Sequence, residues 1–265
     1  MKADFLDRGW CRFGADPALA AWAAAVLPAA RAAVAAPANA HWWRCGGTWF
    51  VGVNALPNGD DGAVAGGPPL AGRAVDFVRR DLGLDIPWDR AWDRAQVSVC
   101  RPGYPRPWAG ESEAALRYRR RRDAAHVDGL LAEGPDRRRH PREAHAFILG
   151  IPLAAADPGA SPFVVWEGSH HVIRAALAER LAGLDPAAWG GADVTGAYHA
   201  ARRRAFAACP RVELPARPGE AYLAHRLALH GMAPWAPGAA AGADGRMVAY
   251  FRPPLSTPAP WLHAP

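Results

Sequence analysis

The sequence contains almost no lysine, because Lys2 is the only lysine among 31 basic residues. Cysteine is also scarce, and Cys11, Cys45, Cys100 and Cys209 are scattered without a C-x-x-C pair. This spacing excludes a zinc knuckle and gives no sign of a disulfide framework. Unpaired cysteines are typical of the reducing cytoplasm. We therefore expect a cytoplasmic protein that depends on a hydrophobic core for its stability.

Long uninterrupted apolar runs are missing as well. The most apolar stretch, residues 18–36, is mostly alanine and contains Pro28 and Arg31, so it falls short of a spanning helix. The N-terminus carries Asp4 and has no compact apolar segment of the kind found in signal peptides. We expect no membrane span.

Apolar residues and arginine are abundant. The chain has 265 residues, of which 51% are hydrophobic, and this content suits one folded domain. The formal net charge is 31 − 25 = +6, with arginine supplying nearly all the positive charge. The arginines either reflect codon bias, since alanine, glycine and proline are abundant too, or bind an anionic partner through their planar forks.

The pattern of elements favours a mainly β protein with added helices. Short strands with turn signals dominate after residue 95, while helices cluster before it and near residues 172–207. Such a pattern is typical of a β-sandwich or barrel with helical additions.

Several individual elements can be predicted. A helix begins at Asp16-Pro17 and kinks or breaks at Pro28. Segments 144–153 and 163–166 are expected to form a hairpin across the turn between them. Segment 221–230 runs as one strand if it is regular, so that His225 and His230 face opposite sides.

The stretch with the clearest chemistry reads H-x-D-G, with His126 and Asp128 two residues apart. In an extended segment, residues i and i+2 point to the same side, so an imidazole and a carboxylate can converge. They form two thirds of the two-histidine, one-carboxylate triad of non-haem Fe(II) oxygenases.

Further along the chain, other residues complete this pattern. His230 follows at a distance of 230 − 128 = 102 residues and is itself followed by Gly231. Arg246 then opens the last strand, where it could hold a distant carboxylate of a cosubstrate through a bidentate contact. This order along successive strands is far more specific than H-x-D alone.

On these residues, the chain resembles the phytanoyl-CoA dioxygenase family of Fe(II)/2-oxoglutarate-dependent oxygenases. The matching motifs are His126-Val127-Asp128, Glu167-Gly168-Ser169-His170 after Trp166, Pro218-Gly219-Glu220, Leu229-His230-Gly231 and Arg246. The family commonly has proline where Glu167 stands. The resemblance covers residues 95–252, which leaves residues 1–94 as an N-terminal elaboration and 253–265 as a surface tail of a single domain.

The resemblance implies a double-stranded β-helix, the jelly roll of cupin-like proteins. It also implies Fe(II) held by His126, Asp128 and His230, with 2-oxoglutarate and O2 as cosubstrates. Arg246 would bind 2-oxoglutarate, and Gln96 either hydrogen-bonds the cosubstrate or faces water. The carboxylate of Asp128 indicates hydroxylation, because halogenating relatives have a small residue there.

A small-molecule substrate is expected, and several residues are candidates for contacting it. Arg119 and Arg120 belong to an arginine run, residues 117–122, that is either a solvated helix face or a handle for an anionic group. Trp166 either walls the site or packs the core. Arg252 lies six residues after Arg246.

Two other functions remain as alternatives. The R-x5-R pattern of Arg246 and Arg252 is similar to that of alkylation-repair dioxygenases, which demethylate nucleic-acid bases, and the sequence pI near 9.6 fits such a partner. The 102-residue spacing is longer than expected for that group, and no basic motif with interleaved aromatic residues is evident. A non-catalytic cupin-type binding protein is the second alternative.

Overall fold

Two antiparallel sheets form the centre of the protein, in a computed structural model that describes residues 1–88 and 92–264. The larger sheet has seven strands in the order β1-β10-β7-β12-β4-β3-β2, the smaller one has the order β11-β8-β9, and β5 pairs with β6. The strands are β1 Trp10–Phe13, β2 Trp43–Arg44, β3 Trp49–Phe50, β4 Gln96–Cys100, β5 Leu130–Glu133, β6 Arg138–Pro141, β7 Phe147–Pro152, β8 Phe163–Trp166, β9 Arg211–Leu214, β10 Ala221–His225, β11 His230–Met232 and β12 Arg246–Phe251.

The order of the strands is that of a double-stranded β-helix. Strands β4, β7, β10 and β12 lie in the larger sheet, while β8, β9 and β11 lie in the smaller sheet. A β-bridge between His126 and His230 adds the segment around His126 to the edge of the smaller sheet. The expectation of a mainly β jelly roll with added helices is therefore confirmed.

The two sheets face each other across an apolar layer. Alternate residues of β12 show the strand periodicity, because Val248 and Tyr250 point between the sheets while Phe251 packs on the opposite face. Phe163 of the smaller sheet stacks on Tyr222 of the larger one, with ring centroids 4.9 Å apart. The space between the sheets is thus the interior into which a site can open.

Two of the sequence predictions for strands are wrong. Segments 144–153 and 163–166 form no hairpin, because β7 lies between β10 and β12 while β8 pairs with β9 and β11. Segment 221–230 is split into β10 and β11, since a turn in which Ala228 N–H bonds to His225 O carries the chain to the other sheet. In a jelly roll, consecutive strands cross between sheets, and local pattern does not reveal this.

Seven α-helices cover the sheets: α1 Lys2–Arg8, α2 Pro17–Ala35, α3 Arg73–Asp76, α4 Glu113–Arg122, α5 Ser169–Leu181, α6 Thr195–Ala208 and α7 Ala259–His263, among the described residues. There are also 3-10 turns at Pro37–Trp42 and Pro186–Gly191 and a π-helical turn at Phe77–Asp81 that continues α3.

Of the kink or break predicted at Pro28, the break does not occur, because helix α2 continues through this residue. Its buried face, which includes Trp22, Val26 and Ala30, packs into the core and offsets the hydrogen bond that proline cannot make. By length and composition alone, α2 could cross a membrane. In the fold, Trp22 lies against Phe251 of the larger sheet, with ring centroids 5.6 Å apart.

The two ends of the chain are part of the fold. Strands β1, β2 and β3 of the N-terminal elaboration join the larger sheet. The tail was predicted to lie on the surface, and this prediction is wrong, because Trp261 and Leu262 of α7 are buried. Arg226 donates hydrogen bonds to the carbonyl oxygens of Trp261, Pro260 and Ala264, which fixes the tail against the core.

Candidate metal centre

The segment that carries His126 is shaped by the end of α4. Asp123 and Ala124 both adopt the left-handed region, with φ of 54° at each residue. The Asp123 carboxylate accepts two hydrogen bonds from the Arg211 guanidinium, at 2.7 and 2.9 Å, and its backbone oxygen accepts one from Met232 N–H. A strained turn held by such contacts is typical of a functional site.

His126, Asp128 and His230 converge on one point, as the sequence predicted. His126 and His230 form a hydrogen-bonded backbone pair, and their ring centroids lie 4.7 Å apart. Asp128 Oδ1 lies 3.1 Å from His126 Nε2 and 3.7 Å from His230 Nε2. Val127 between them is buried in the core, so the i, i+2 alternation places both donors on the open side.

Both imidazoles are oriented by backbone carbonyl groups. Nδ1 of His126 lies 3.0 Å from Ala124 O, and Nδ1 of His230 lies 2.9 Å from Ala228 O. A carbonyl oxygen only accepts, so each Nδ1 carries the hydrogen and each Nε2 presents its lone pair to the cluster. This is how metal-binding histidines are usually held.

The third donor is an ionised carboxylate. Burial of Asp128 acts to raise its pKa, but the positive charge of Arg252, whose Nη1 lies 3.3 Å from Asp128 Oδ2, acts in the opposite direction. The balance holds the pKa of the Asp128 carboxyl well below its usual range. A negative oxygen donor is therefore available at neutral pH.

The donor set fits Fe(II). Within residues 1–88 and 92–264, these three side chains form the only group of three or more candidate ligands, with all ligand atoms within 4.8 Å of one another. Two neutral imidazole nitrogens and one carboxylate make up the facial triad of non-haem iron sites.

No protein-family model matches the sequence, and no curated protein is similar to it in sequence. Among solved structures, the chain is similar to the non-haem α-ketoglutarate-dependent epimerase SnoN from nogalamycin biosynthesis. The identity is 13%, the TM-score is 0.49, and the match covers 94% of this chain and 78% of that one.

Two further structures show a similar degree of likeness. EctD from S. alaskensis with 2-oxoglutarate and 5-hydroxyectoine is 17% identical, with a TM-score of 0.45 and coverage of 99% and 81%. AviO1 from Streptomyces viridochromogenes Tue57 is 15% identical, with a TM-score of 0.39 and coverage of 99% and 96%. At these identities and TM-scores, none of the three indicates which reaction this chain performs.

Arg246 lies between the sheets behind the metal cluster. Its Nη2 donates to the hydroxyl groups of Tyr250 and Tyr222, at 2.8 and 3.1 Å, and its Nη1 lies 3.5 Å from Met232 Sδ. The residue is only 6% exposed, and no carboxylate of the described residues lies within ion-pair distance of it. A buried guanidinium without a counter-charge is unfavourable unless an anion joins it.

A cavity of about 150 Å³ opens beside the metal cluster, whereas Arg246 and Tyr222 line a separate, smaller pocket. His126, Asp128 and His230 line one part of the cavity, and Tyr250 and Met232, the partners of Arg246, line another. The remaining wall is largely apolar and comprises Trp49, Val51, Val53, Ile148 and Phe163, together with Gln96, Ser98, Tyr104 and Arg252. The cavity can therefore hold an organic molecule next to the donor cluster.

Only some of the other residues predicted to contact the cosubstrate or the substrate line the cavity. Gln96 and Arg252 line the cavity, but Trp166 is buried against Phe206 and does not. Arg119 points inward, where it pairs with Glu111 at 2.6 Å, and Arg120 is exposed. His225 is a core histidine whose Nε2 lies 2.8 Å from Arg174 Nη2. The arginine run thus lies outside the described lining of the cavity.

Some residues of the site were not predicted from the sequence. Tyr250 could have been found, because residues i and i+4 of a strand share a face and Tyr250 follows Arg246 by that interval. Tyr222, Met232 and the Asp123–Arg211 pair depend on contacts between distant strands. No local pattern marks them.

Replacement of Gly231 by alanine is expected to weaken metal binding. A Cβ at Gly231 would lie 2.1 Å from Asp123 O, so the segment before His126 would have to move away from His230. We expect Fe(II) affinity to fall about 10-fold to 100-fold, the range found when the support of a ligand is lost. Equilibrium dialysis of the metal measures this. Gly14→Ala, where a Cβ meets nothing within 4 Å, is the control and should bind normally.

Asp93 should make a contribution to stability that declines between about pH 4 and about pH 6. Burial raises the pKa of this carboxyl to about 6, although Arg252 N–H donates to it. Because the Asp93 pKa is higher in the folded state than in the unfolded state, the free energy of unfolding declines as the pH rises above the pKa of the unfolded state. The decline amounts to roughly 2–3 kcal/mol at 1.36 kcal/mol per unit. Urea unfolding of Asp93→Asn should lack this decline, and an unchanged profile would contradict the assignment.

Proposed function

We propose that this protein is a non-haem Fe(II)- and 2-oxoglutarate-dependent dioxygenase that hydroxylates a small or medium-sized organic molecule. One observation carries the proposal. The triad of His126, Asp128 and His230 lines a cavity together with Tyr250, whose hydroxyl accepts a hydrogen bond from Arg246, a buried cation without a carboxylate partner among the described residues.

Different residues would bind the metal and the cosubstrate. His126, Asp128 and His230 would hold the iron, which supplies, with 2-oxoglutarate and O2, the oxidant for a C–H bond. Arg246 would bind the distal carboxylate of 2-oxoglutarate, because a guanidinium fork matches a carboxylate bidentately. The hydroxyl groups of Tyr222 and Tyr250 fix the position of that fork.

Arg252 orients the Asp128 carboxylate. By engaging Oδ2 at 3.3 Å, it leaves Oδ1 directed toward the two histidines. The apolar wall formed by Ile148, Phe163 and Val51 keeps bulk water away from the reacting group. The presence of a carboxylate at position 128 supports hydroxylation rather than halogenation, as the resemblance implies.

The cavity also supports the class of substrate. Its largely apolar wall, with Trp49 and Val53 among the lining residues, suits a compact molecule with an apolar body. Gln96 and Ser98 add polar side chains that can orient such a molecule through hydrogen bonds. This arrangement favours a small-molecule enzyme over both a nucleic-acid demethylase and a binding protein without catalysis.

Succinate production tests the proposal. In air, with Fe(II), ascorbate and 2-oxoglutarate, the wild-type protein should convert 2-oxoglutarate slowly into succinate, and a true substrate from a panel of small molecules should accelerate this conversion. Mass spectrometry under ¹⁸O2 should then show one labelled oxygen in the product. If iron binds but 2-oxoglutarate is never consumed, the protein is a cupin-type binder instead.

A further inference from the structure

Two arginines lie on an aromatic platform between α4 and α6, formed by Tyr118, Tyr198 and Phe206. Arg122 lies over the ring of Phe206, with its Cζ 4.6 Å from the ring centroid. Arg202 lies over Tyr118 and Tyr198, at 5.0 and 5.4 Å. Since Tyr118 and Phe206 are themselves in edge contact, 6.2 Å between centroids, the two guanidinium groups stack on neighbouring rings. Stacking can hold a guanidinium in place while N–H groups at its edge remain available to an acceptor.

These two cations have no ion-pair partner among the described residues, whereas three other arginines do have one. Arg119 pairs with Glu111, Arg211 with Asp123, and Arg138 with Asp193. In contrast, no carboxylate in the described part of the chain comes within ion-pair distance of either guanidinium on the aromatic platform. Positive charge is therefore left on the platform.

A third arginine adds to this unbalanced charge. Arg139 is half-buried beside the platform and donates from Nη1 to Leu130 O at 2.9 Å. Burial lowers the pKa of Arg139, and the positive charges of Arg137 and Arg202 lower it further. Like charges that are held together in this way are relieved when an anion binds between them.

The net charge of the chain falls within a sequence window that includes α4. Residues 94–142 contain 12 arginines and 6 acidic residues, a balance of 12 − 6 = +6, which equals the formal charge of the whole chain. The field of such a region draws anions toward it.

The aromatic platform is connected to the metal-bearing segment from behind. Tyr118 OH donates to Ala125 O at 2.5 Å, and Tyr198 OH accepts from Val127 N–H at 3.3 Å. These two residues flank His126, and their side chains are buried while His126 faces the cavity. The platform thus supports the segment on the side opposite the cavity.

We propose that Arg122 and Arg202 form a binding site for an oxyanion of the phosphate type, outside the cavity, and that its occupation steadies residues 123–128. A tetrahedral dianion can accept hydrogen bonds from two guanidinium forks at once. The phosphate is either free or carried by a larger molecule, and both sources share the same chemistry. Only the role given to residues 123–128 rests on the proposed function, whereas binding of the anion does not depend on it.

The test compares three full-length proteins at constant ionic strength: wild type, Arg122→Gln/Arg202→Gln, and the matched control Arg203→Gln/Arg204→Gln. The control removes the same charge from exposed positions of α6 that make no stacking contact among the described rings. Calorimetric titration with inorganic phosphate should show saturable binding to the wild type. Loss of Arg122 and Arg202 should weaken it at least about tenfold, the factor for one lost charge-assisted hydrogen bond.

Hydrogen exchange provides the second measurement. Phosphate should slow exchange of the amides of residues 123–128 in the wild type and the control, but not in Arg122→Gln/Arg202→Gln. If the double variant is poorly folded, the single variants Arg122→Gln and Arg202→Gln should each lose part of the binding. Equal loss in the control, or absence of saturable binding to the wild type, would overturn the proposal.

A phosphate ester distinguishes free phosphate from phosphate carried by a larger molecule. If glycerol 3-phosphate binds as tightly as inorganic phosphate, the site accepts a phosphate carried by a larger molecule; if only inorganic phosphate binds, the ligand is the free ion. No iron or 2-oxoglutarate is added in these measurements. A failure here is therefore distinct from a failure of succinate production.

Discussion

The His126→Ala protein is expected to lose Fe(II) binding while keeping its fold. The His126 side chain is 48% exposed, so its removal leaves no core cavity, and its backbone bonds to His230 remain possible. His126 also provides one of the three donor atoms. Loss of a residue that only supports a metal ligand lowers metal affinity by up to about 100-fold, so loss of a ligand itself should lower the Fe(II) affinity by at least that factor. Equilibrium dialysis against Fe(II) under argon measures the affinity directly.

Two controls accompany this variant. His41→Gln changes an exposed histidine distant in sequence from the cluster and should bind iron as the wild type does. Thermal unfolding without metal should be the same for all three proteins. Normal iron affinity in His126→Ala would mean that the metal, if any, is held elsewhere in the chain.

The second large effect is expected for Arg246→Leu. The guanidinium is buried and its partners are neutral, so the variant should fold, while the cosubstrate loses its cationic contact. Removing one member of a buried charge pair costs about 2–5 kcal/mol, which corresponds to a KM for 2-oxoglutarate raised about 30-fold or more. Iron affinity should not change, which separates this variant from His126→Ala.

The control for Arg246 is Tyr222→Phe. It removes one hydroxyl that lies 3.1 Å from Arg246 Nη2 but keeps the ring that stacks on Phe163. We expect KM for 2-oxoglutarate to rise less than in Arg246→Leu, because the guanidinium remains and keeps its hydrogen bond to Tyr250. If Arg246→Leu leaves KM unchanged while succinate is formed, the cosubstrate is anchored by another residue.

The sequence was sufficient to predict those parts of the site that depend on local pattern. His126 and Asp128 share a face because they are two residues apart in an extended segment, and the structure brings both to His230. The helix predicted to begin at Asp16-Pro17 does so, and the Asp16 side chain accepts a hydrogen bond from Ala18 N–H as an N-cap does.

Contacts between distant strands could not be predicted in the same way. The hairpin of segments 144–153 and 163–166 was wrong because apolar strands give no indication of the sheet to which they belong. The tail was expected at the surface because it is rich in proline. Trp261 is nevertheless buried, and its carbonyl oxygen accepts a hydrogen bond from Arg226, the residue that follows β10. The aromatic platform likewise joins α4 to α6, about eighty residues later in the chain.

The most direct measurement of the central claim is the visible spectrum of the protein under strict anaerobic conditions. When Fe(II) and then 2-oxoglutarate are added, the wild type should develop a weak charge-transfer band that saturates at one equivalent of iron. His126→Ala should show no band, and Arg246→Leu should show it only at much higher 2-oxoglutarate. Absence of the band in the wild type, although iron is bound, would contradict the assignment of a 2-oxoglutarate-dependent centre.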